Sequence, residues 1–139
     1  MNTISIPTGL VTYDINGACQ ISFNPTDALF AERLYSAFDT LDTRQEDYQS
    51  RIEKAANTKA IFEVARALDA EMREIIDNTL GKGVSDALFK DMNVYAMADG
   101  LPVWANLFLA LMDEMDTGYV HEQRKTSPRL DKYIGKYKK

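Results

Sequence analysis

Side chains able to do chemistry are sparse in this sequence. It holds one histidine, His121, and one cysteine, Cys19, far apart in the chain. A zinc site or a nucleophile–base pair needs several such groups within reach of one another, and one of each cannot assemble either. His121 stands among Glu122, Gln123 and Arg124, the setting of an exposed helical turn. Gly81-Lys82-Gly83-Val84-Ser85 superficially suggests phosphate binding, but it lacks the Walker spacing and follows a helical pattern where such loops follow a strand. Asp113, Glu114 and Asp116 form an acidic cluster with no second group of ligands at a predictable distance. Asp91-Met92-Asn93 starts like a calcium loop, yet Tyr95 and Ala96 stand where an oxygen ligand and a glycine are required. No catalytic, cofactor-binding or metal site is expected on this basis, and enzyme activity has no support in the sequence.

The elements that would position any site are mainly helical. From Thr58 to Gly83, Ile61, Ala65, Leu68, Met72 and Ile75 recur every three or four residues, with Phe62, Ile76 and Leu80 widening the stripe. This is one helix with one buried face, closed by Gly81 in a left-handed conformation. Before it, Asn24-Pro25-Thr26-Asp27 opens a helix with Asn24 as the cap and Pro25 at the first position. Its stripe of Phe30, Leu34, Phe38 and Leu41, then Tyr48, Ile52 and Ala55, runs to about Ala56. Two helices folded back as an antiparallel pair are preferred over one rod, since each stripe needs a partner. Ser85 is expected to cap a short helix containing Leu88 and Phe89. Asn93 to Gly100 is a connection pinned to the core by Val94, Tyr95 and Met97. Pro102 starts the last helix, whose apolar face comprises Trp104, Leu107, Phe108, Leu111, Met112 and Met115; Gly118 either ends it early or is absorbed inside it.

Leu10 to Phe23 reads as a hairpin about Asn16-Gly17. A two-residue loop would scatter the apolar residues of the two strands over both faces. A three-residue loop, Ile15-Asn16-Gly17, pairs Tyr13 with Cys19 and Val11 with Ile21. It leaves Thr12, Asp14, Gln20 and Ser22 on a polar face. The expectation is therefore a mainly α fold: a single helical domain over 1–126 with an N-terminal β-hairpin at about 10–23, and a basic tail over 127–139.

Chain length and composition agree with a domain that needs neither disulfide nor metal to fold. The apolar run from Val103 to Met112 is too short to span a bilayer, and no secretory signal precedes the first helix, so a cytoplasmic, membrane-free protein is expected. The net charge of −5 is unevenly spread. Arg124 to Lys139 carries seven basic side chains against Asp131 alone, a net of +6 that leaves −11 on the remainder. An acidic body of this kind repels nucleic acid over most of its surface, and the basic end could touch an acidic partner or a nucleic acid.

The order of these signals resembles the tail assembly chaperones of long-tailed bacteriophages and prophages. The resemblance lies in an Ile-Asn-Gly turn (Ile15, Asn16, Gly17), a Phe-x-Pro-x-Asp helix start (Phe23, Pro25, Asp27) and a helix stop at Leu80, Gly81, Gly83 and Ser85. It continues through Leu88-Phe89, a last apolar helix and a basic tail. It covers most of the chain, although Leu80 stands where an aromatic is common and the tail carries Tyr133 and Tyr137 where more arginine is expected. The resemblance implies a non-enzymatic helper in the host bacterial cytoplasm. It would self-associate and keep the helical, aggregation-prone tape measure protein soluble during tail assembly. The partner-binding surface expected for that role is Trp104, Phe108, Leu111, Met112 and Met115, with the two methionines as its adaptable part. Two other readings belong to different classes. One is a structural tail or head–tail connector protein that uses its hairpin for sheet addition. The other is a small acidic inhibitor of a host defence protein.

Overall fold

The computed structural model describes residues 1–124; the basic segment expected over 127–139 lies outside the described residues. Two long helices, α1 (Ala28–Glu53) and α2 (Thr58–Leu80), carry much of the core. They are separate because Asn57 is extended and its side chain accepts from the Ala60 amide at 2.9 Å, satisfying a donor that the first turn of α2 leaves free. Arg44 pairs with Glu71 at 3.1 Å, and Ala37 and Thr40 lie beside Ile75 and Thr79, so the two helices run antiparallel. Leu34 and Leu41 of α1 meet the buried face of α2 at Leu68, Met72 and Ile76.

α1 begins three residues later than its sequence suggests. Asp27, not Asn24, is the cap, accepting from the Leu29 amide at 2.9 Å. Asn24 is committed elsewhere: its Oδ1 accepts from the amide and hydroxyl of Thr26, and its Nδ2 donates to the Thr8 carbonyl at 2.9 Å. That last bond ties down the segment before the hairpin, where Gly9 has φ +72° and a Cβ would lie 2.6 Å from Asn24 Nδ2.

The hairpin is β1 (Val11–Ile15) and β2 (Cys19–Phe23), with Tyr13 opposite Ile21 and Ile15 opposite Cys19. The register is thus shifted by two from the expected Tyr13–Cys19 pairing. Asn16 and Gly17 both take positive φ, at 55° and 67°, and Ala18 donates to the Ile15 carbonyl, so the three residues outside the ladder are 16–18 rather than 15–17. A shift of two preserves the faces. Ile21 and Phe23 are buried, Thr12 bonds Ser22 across the exposed side, and Tyr13, Phe23 and Phe30 form a continuous ring stack onto α1.

Gly81 ends α2 at the expected place but with φ 134° and ψ 145°, an extended conformation open to glycine rather than the left-handed one. The next helix, α3 (Val84–Phe89), is not capped by Ser85, which is buried inside it with no partner for its hydroxyl among the described residues. Asp77 of α2 does that work, accepting from the amides of Gly83 and Ser85 at 3.2 and 2.9 Å.

The chain after α3 is held by Arg73. Its guanidinium bonds Asp69 at 2.9 Å, Asp86 at 2.7 Å, and the carbonyls of Lys90 and Met92, each at 2.7 Å. Asp69 uses its other oxygen to accept from the Val94 amide at 2.8 Å. Val94 is buried as expected, whereas Met97 is exposed, because it sits in a small hairpin, β3 (Met97–Ala98) with β4 (Leu101–Pro102), turned at Asp99 and Gly100. The hairpin carries the carbonyls of Val94 and Ala96 to the Trp104 and Val103 amides, satisfying the first turn of α4 (Val103–Arg124). Pro102 therefore precedes that helix and does not begin it.

α4 runs back along α1, with Trp104 edge-on to Phe38 and donating to Gln45 at 2.7 Å. Gly118 is absorbed within it for a steric reason: a Cβ there would lie 2.4 Å from Cβ and 2.8 Å from Cγ of buried Pro25. Gly118→Ala should consequently destabilise. The gain of about 1 kcal/mol in helix propensity is outweighed by about 1–3 kcal/mol of overpacking against a rigid ring. Urea unfolding should show a lowered midpoint at unchanged slope; a raised midpoint would mean that Pro25 yields without cost.

Candidate functional site

Beyond the point where Trp104 and Phe108 close the core, α1 and α4 leave a groove between them of about 270 Å³. Ala31 on α1 and Met112 and Met115 on α4 line it partly buried, while Tyr35 and Tyr119 stand exposed on either side. The helix start brings Asp27 to one end and α4 brings Asp116 to its rim, so the charged residues lining it are both acidic. An apolar trough with acidic edges can take up an apolar surface that carries basic groups.

The five side chains expected to bind a partner divide between core and groove. Trp104, Phe108 and Leu111 are 1%, 0% and 1% exposed, and their neighbours belong to this chain: Phe38 lies 5.1 Å from the Trp104 ring and 6.5 Å from the Phe108 ring. They shape the surface and do not form it. Met112 and Met115 reach the groove. Sequence reading missed the opposite wall, although Ala28, Ala31 and Tyr35 recur every three or four residues as a second stripe on α1, beside the buried stripe of Phe30, Leu34 and Phe38.

Known protein families, curated proteins and solved structures provide no match to this chain.

The reactive residues stay apart. His121 and Glu122 are exposed on the last turns of α4, where with Glu114 they edge a wider cleft running under Val11 and Tyr13. The Cys19 thiol is held above its ordinary pKa by burial and by nearby Asp14, the reverse of what activates a cysteine. Burial, with Glu114 adding to it, likewise raises the Tyr13 phenol. Tyr95 is raised furthest, chiefly by burial and then by Tyr48, and donates to the Ala65 carbonyl at 2.8 Å, as a phenol serving as a structural donor should. Among the described residues no three His, Cys, Asp or Glu side chains are placed to hold a metal ion, and no helix is long and apolar enough to cross a membrane.

A second exposed surface lies before the hairpin. Residues 1–10 are exposed throughout, with Ile4 at 89% and Ile6 at 72%, alternating with Thr3 and Ser5 as a strand would.

Proposed function

We propose that this protein is a non-enzymatic binding protein of the tail-assembly-chaperone kind. It holds a helical tape measure protein in solution in the host bacterial cytoplasm until tail subunits assemble on it. The observation that carries the reading is the α1/α4 groove, where half-exposed methionines meet exposed tyrosines at an acidic rim. Thioethers adapt to many apolar shapes, so such a trough suits a long client with repeated, non-identical helical faces. The acidic body supplies solubility to the complex, and a groove this small keeps binding weak enough to release. Within the surface first expected, Met112 and Met115 would contact the client while Trp104, Phe108 and Leu111 hold α4 in place. Self-association would use the exposed residues of 1–10.

The test is co-expression with the candidate client. Met115→Glu places a charge in the groove at a half-exposed position on the edge of the core, and should lower soluble client about tenfold, the consequence of ~1.4 kcal/mol of lost affinity, with circular dichroism unchanged. An undiminished soluble yield would refute the groove as the binding site. A structural tail or connector role is the second reading, favoured by the strand-like alternation at Thr3-Ile4-Ser5-Ile6 next to a two-stranded sheet. Purified particles separate the two, since a connector stays in them and a chaperone does not.

A further inference from the structure

We propose that the outer edge of β1 takes residues 2–6 of a second copy of this chain as a third strand, and that two copies exchange these arms reciprocally. The inference gives the self-association proposed above its surface, and it rests on that part of the reading rather than on any client. β1 is the outer strand of its hairpin: every residue from Val11 to Ile15 is exposed or half-buried, whereas β2 buries Ile21 and Phe23 and packs against α3. Among the described residues no strand pairs with the other edge of β1. A cleft of about 730 Å³ opens under Val11 and Tyr13 toward Thr117 and His121 of α4, leaving room beside the inward side of that edge. Backbone donors and acceptors along an open edge are a template for a further strand.

Residues 2–6 have the composition and length of such a strand. Ile4 and Ile6 alternate with Thr3 and Ser5 and stand 89% and 72% exposed. Met1 to Leu10 contains no charged side chain of the kind that guards an exposed strand against pairing. The five residues match the five of β1, about 17 Å in each case. Pro7, with no amide proton to donate, ends the pairing. An antiparallel register that uses the whole arm sets Ile6 against Val11, Ser5 against Thr12, Ile4 against Tyr13 and Thr3 against Asp14. Directly opposed residues share a face, so both isoleucines join Val11 and Tyr13 on the cleft side and the polar pairs stay outside. The arm's own β1 is not its partner. Asn24 follows β2, and its bond to the Thr8 carbonyl, with Gly9 close against the same side chain, roots the arm on β2's side of β1, away from the free edge. In the antiparallel register Ile6 of one copy lies beside Val11 of the other, so the two roots meet at a two-fold axis. Both arms and both edges are then used, which closes the assembly at two copies.

The experiment uses the full chain without a client, so its outcome stands apart from that of Met115→Glu. Sedimentation equilibrium should give twice the 15.7 kDa chain mass. Ile4→Lys with Ile6→Lys should return it to one chain mass with circular dichroism unchanged, since neither side chain belongs to the core. The register is read from two single-cysteine proteins, made by adding Ser5→Cys or Thr12→Cys to Cys19→Ser. Under mild oxidant their mixture should yield a disulfide-linked pair containing one of each. A protein carrying both substitutions that closes the bond within one chain would overturn the proposal, because the arm would then occupy its own edge. A dimer that persists in the isoleucine variant would overturn it and leave self-association to another surface. One chain mass at every concentration would overturn this proposal and self-association together. Mass that keeps growing with concentration would show open-ended strand addition and overturn the closed exchange.

Discussion

Phe108→Asp should abolish the folded state rather than a binding activity. The ring is fully enclosed, edge-on to Trp104 at 6.1 Å and to Phe38 at 6.5 Å. Truncating such a residue costs about 3–5 kcal/mol, and leaving a carboxylate in its place adds the penalty of an unpaired buried charge. Folded domains of this size hold only about 5–15 kcal/mol in reserve. The far-ultraviolet circular dichroism of α1 and α4 should fall and the cooperative transition in urea should vanish. The comparison with Met115→Glu gives the result its meaning, because the two positions lie two turns apart on α4 and differ in what covers them. Native-like dichroism in the Phe108 variant would show that α4 can swing away from α1, and would return Phe108 to the list of candidate contact residues.

Arg73→Ala ranks second in expected effect. Its guanidinium, 14% exposed, is a single donor group shared by two carboxylates and two backbone carbonyls. Removal strands Asp69, itself only 22% exposed, and leaves the Lys90 and Met92 carbonyls without their side-chain donor. Breaking a buried pair from one side costs about 3–5 kcal/mol; Asp86, at 77% exposed, contributes little because solvent screens it. Lys90 also sits at φ 52°, a conformation its neighbours must enforce. Arg73→Lys should recover only part of the loss, since one ammonium cannot span what a planar fork spans. Urea titration measures both variants. Hydrogen exchange at the Val94 amide, which donates to Asp69, should accelerate before the core amides of α2 do. A loss below about 1 kcal/mol for Arg73→Ala would show that the connection holds without it.

The helices were legible because periodicity reports which side of a helix is apolar, and the stripes of α1, α2 and α4 are broad. What covers a stripe is not written in it. The face from Trp104 to Met115 is closed at one end by Phe38 and Gln45, remote in the chain, and open at the other, yet its residues look alike along the sequence. Competition for one side chain explains the misplaced starts. Asn24 has the right type for a cap but is engaged by Thr8 and Thr26, and Ser85 is displaced by an aspartate eight residues earlier. The hairpin faces could be read because apolar alternation fixes register modulo two, while the loop conformation that chose between registers depended on Asn16 turning left-handed. The small hairpin at 97–102 had a legible signal in Asp99-Gly100, a pair suited to a tight two-residue turn.

The first hairpin has a consequence for how the chain is made. β1 and β2 leave the ribosome before α1 to α4, but two strands do not persist alone in water. Phe30, on which Phe23 stacks, follows within a few residues; α3, which packs on β2, and Gly118, against which Pro25 rests, come much later. For most of synthesis the ribbon's oily side therefore lacks its final cover, and the nascent protein must pass through a period in which Ile21 and Phe23 can meet other chains.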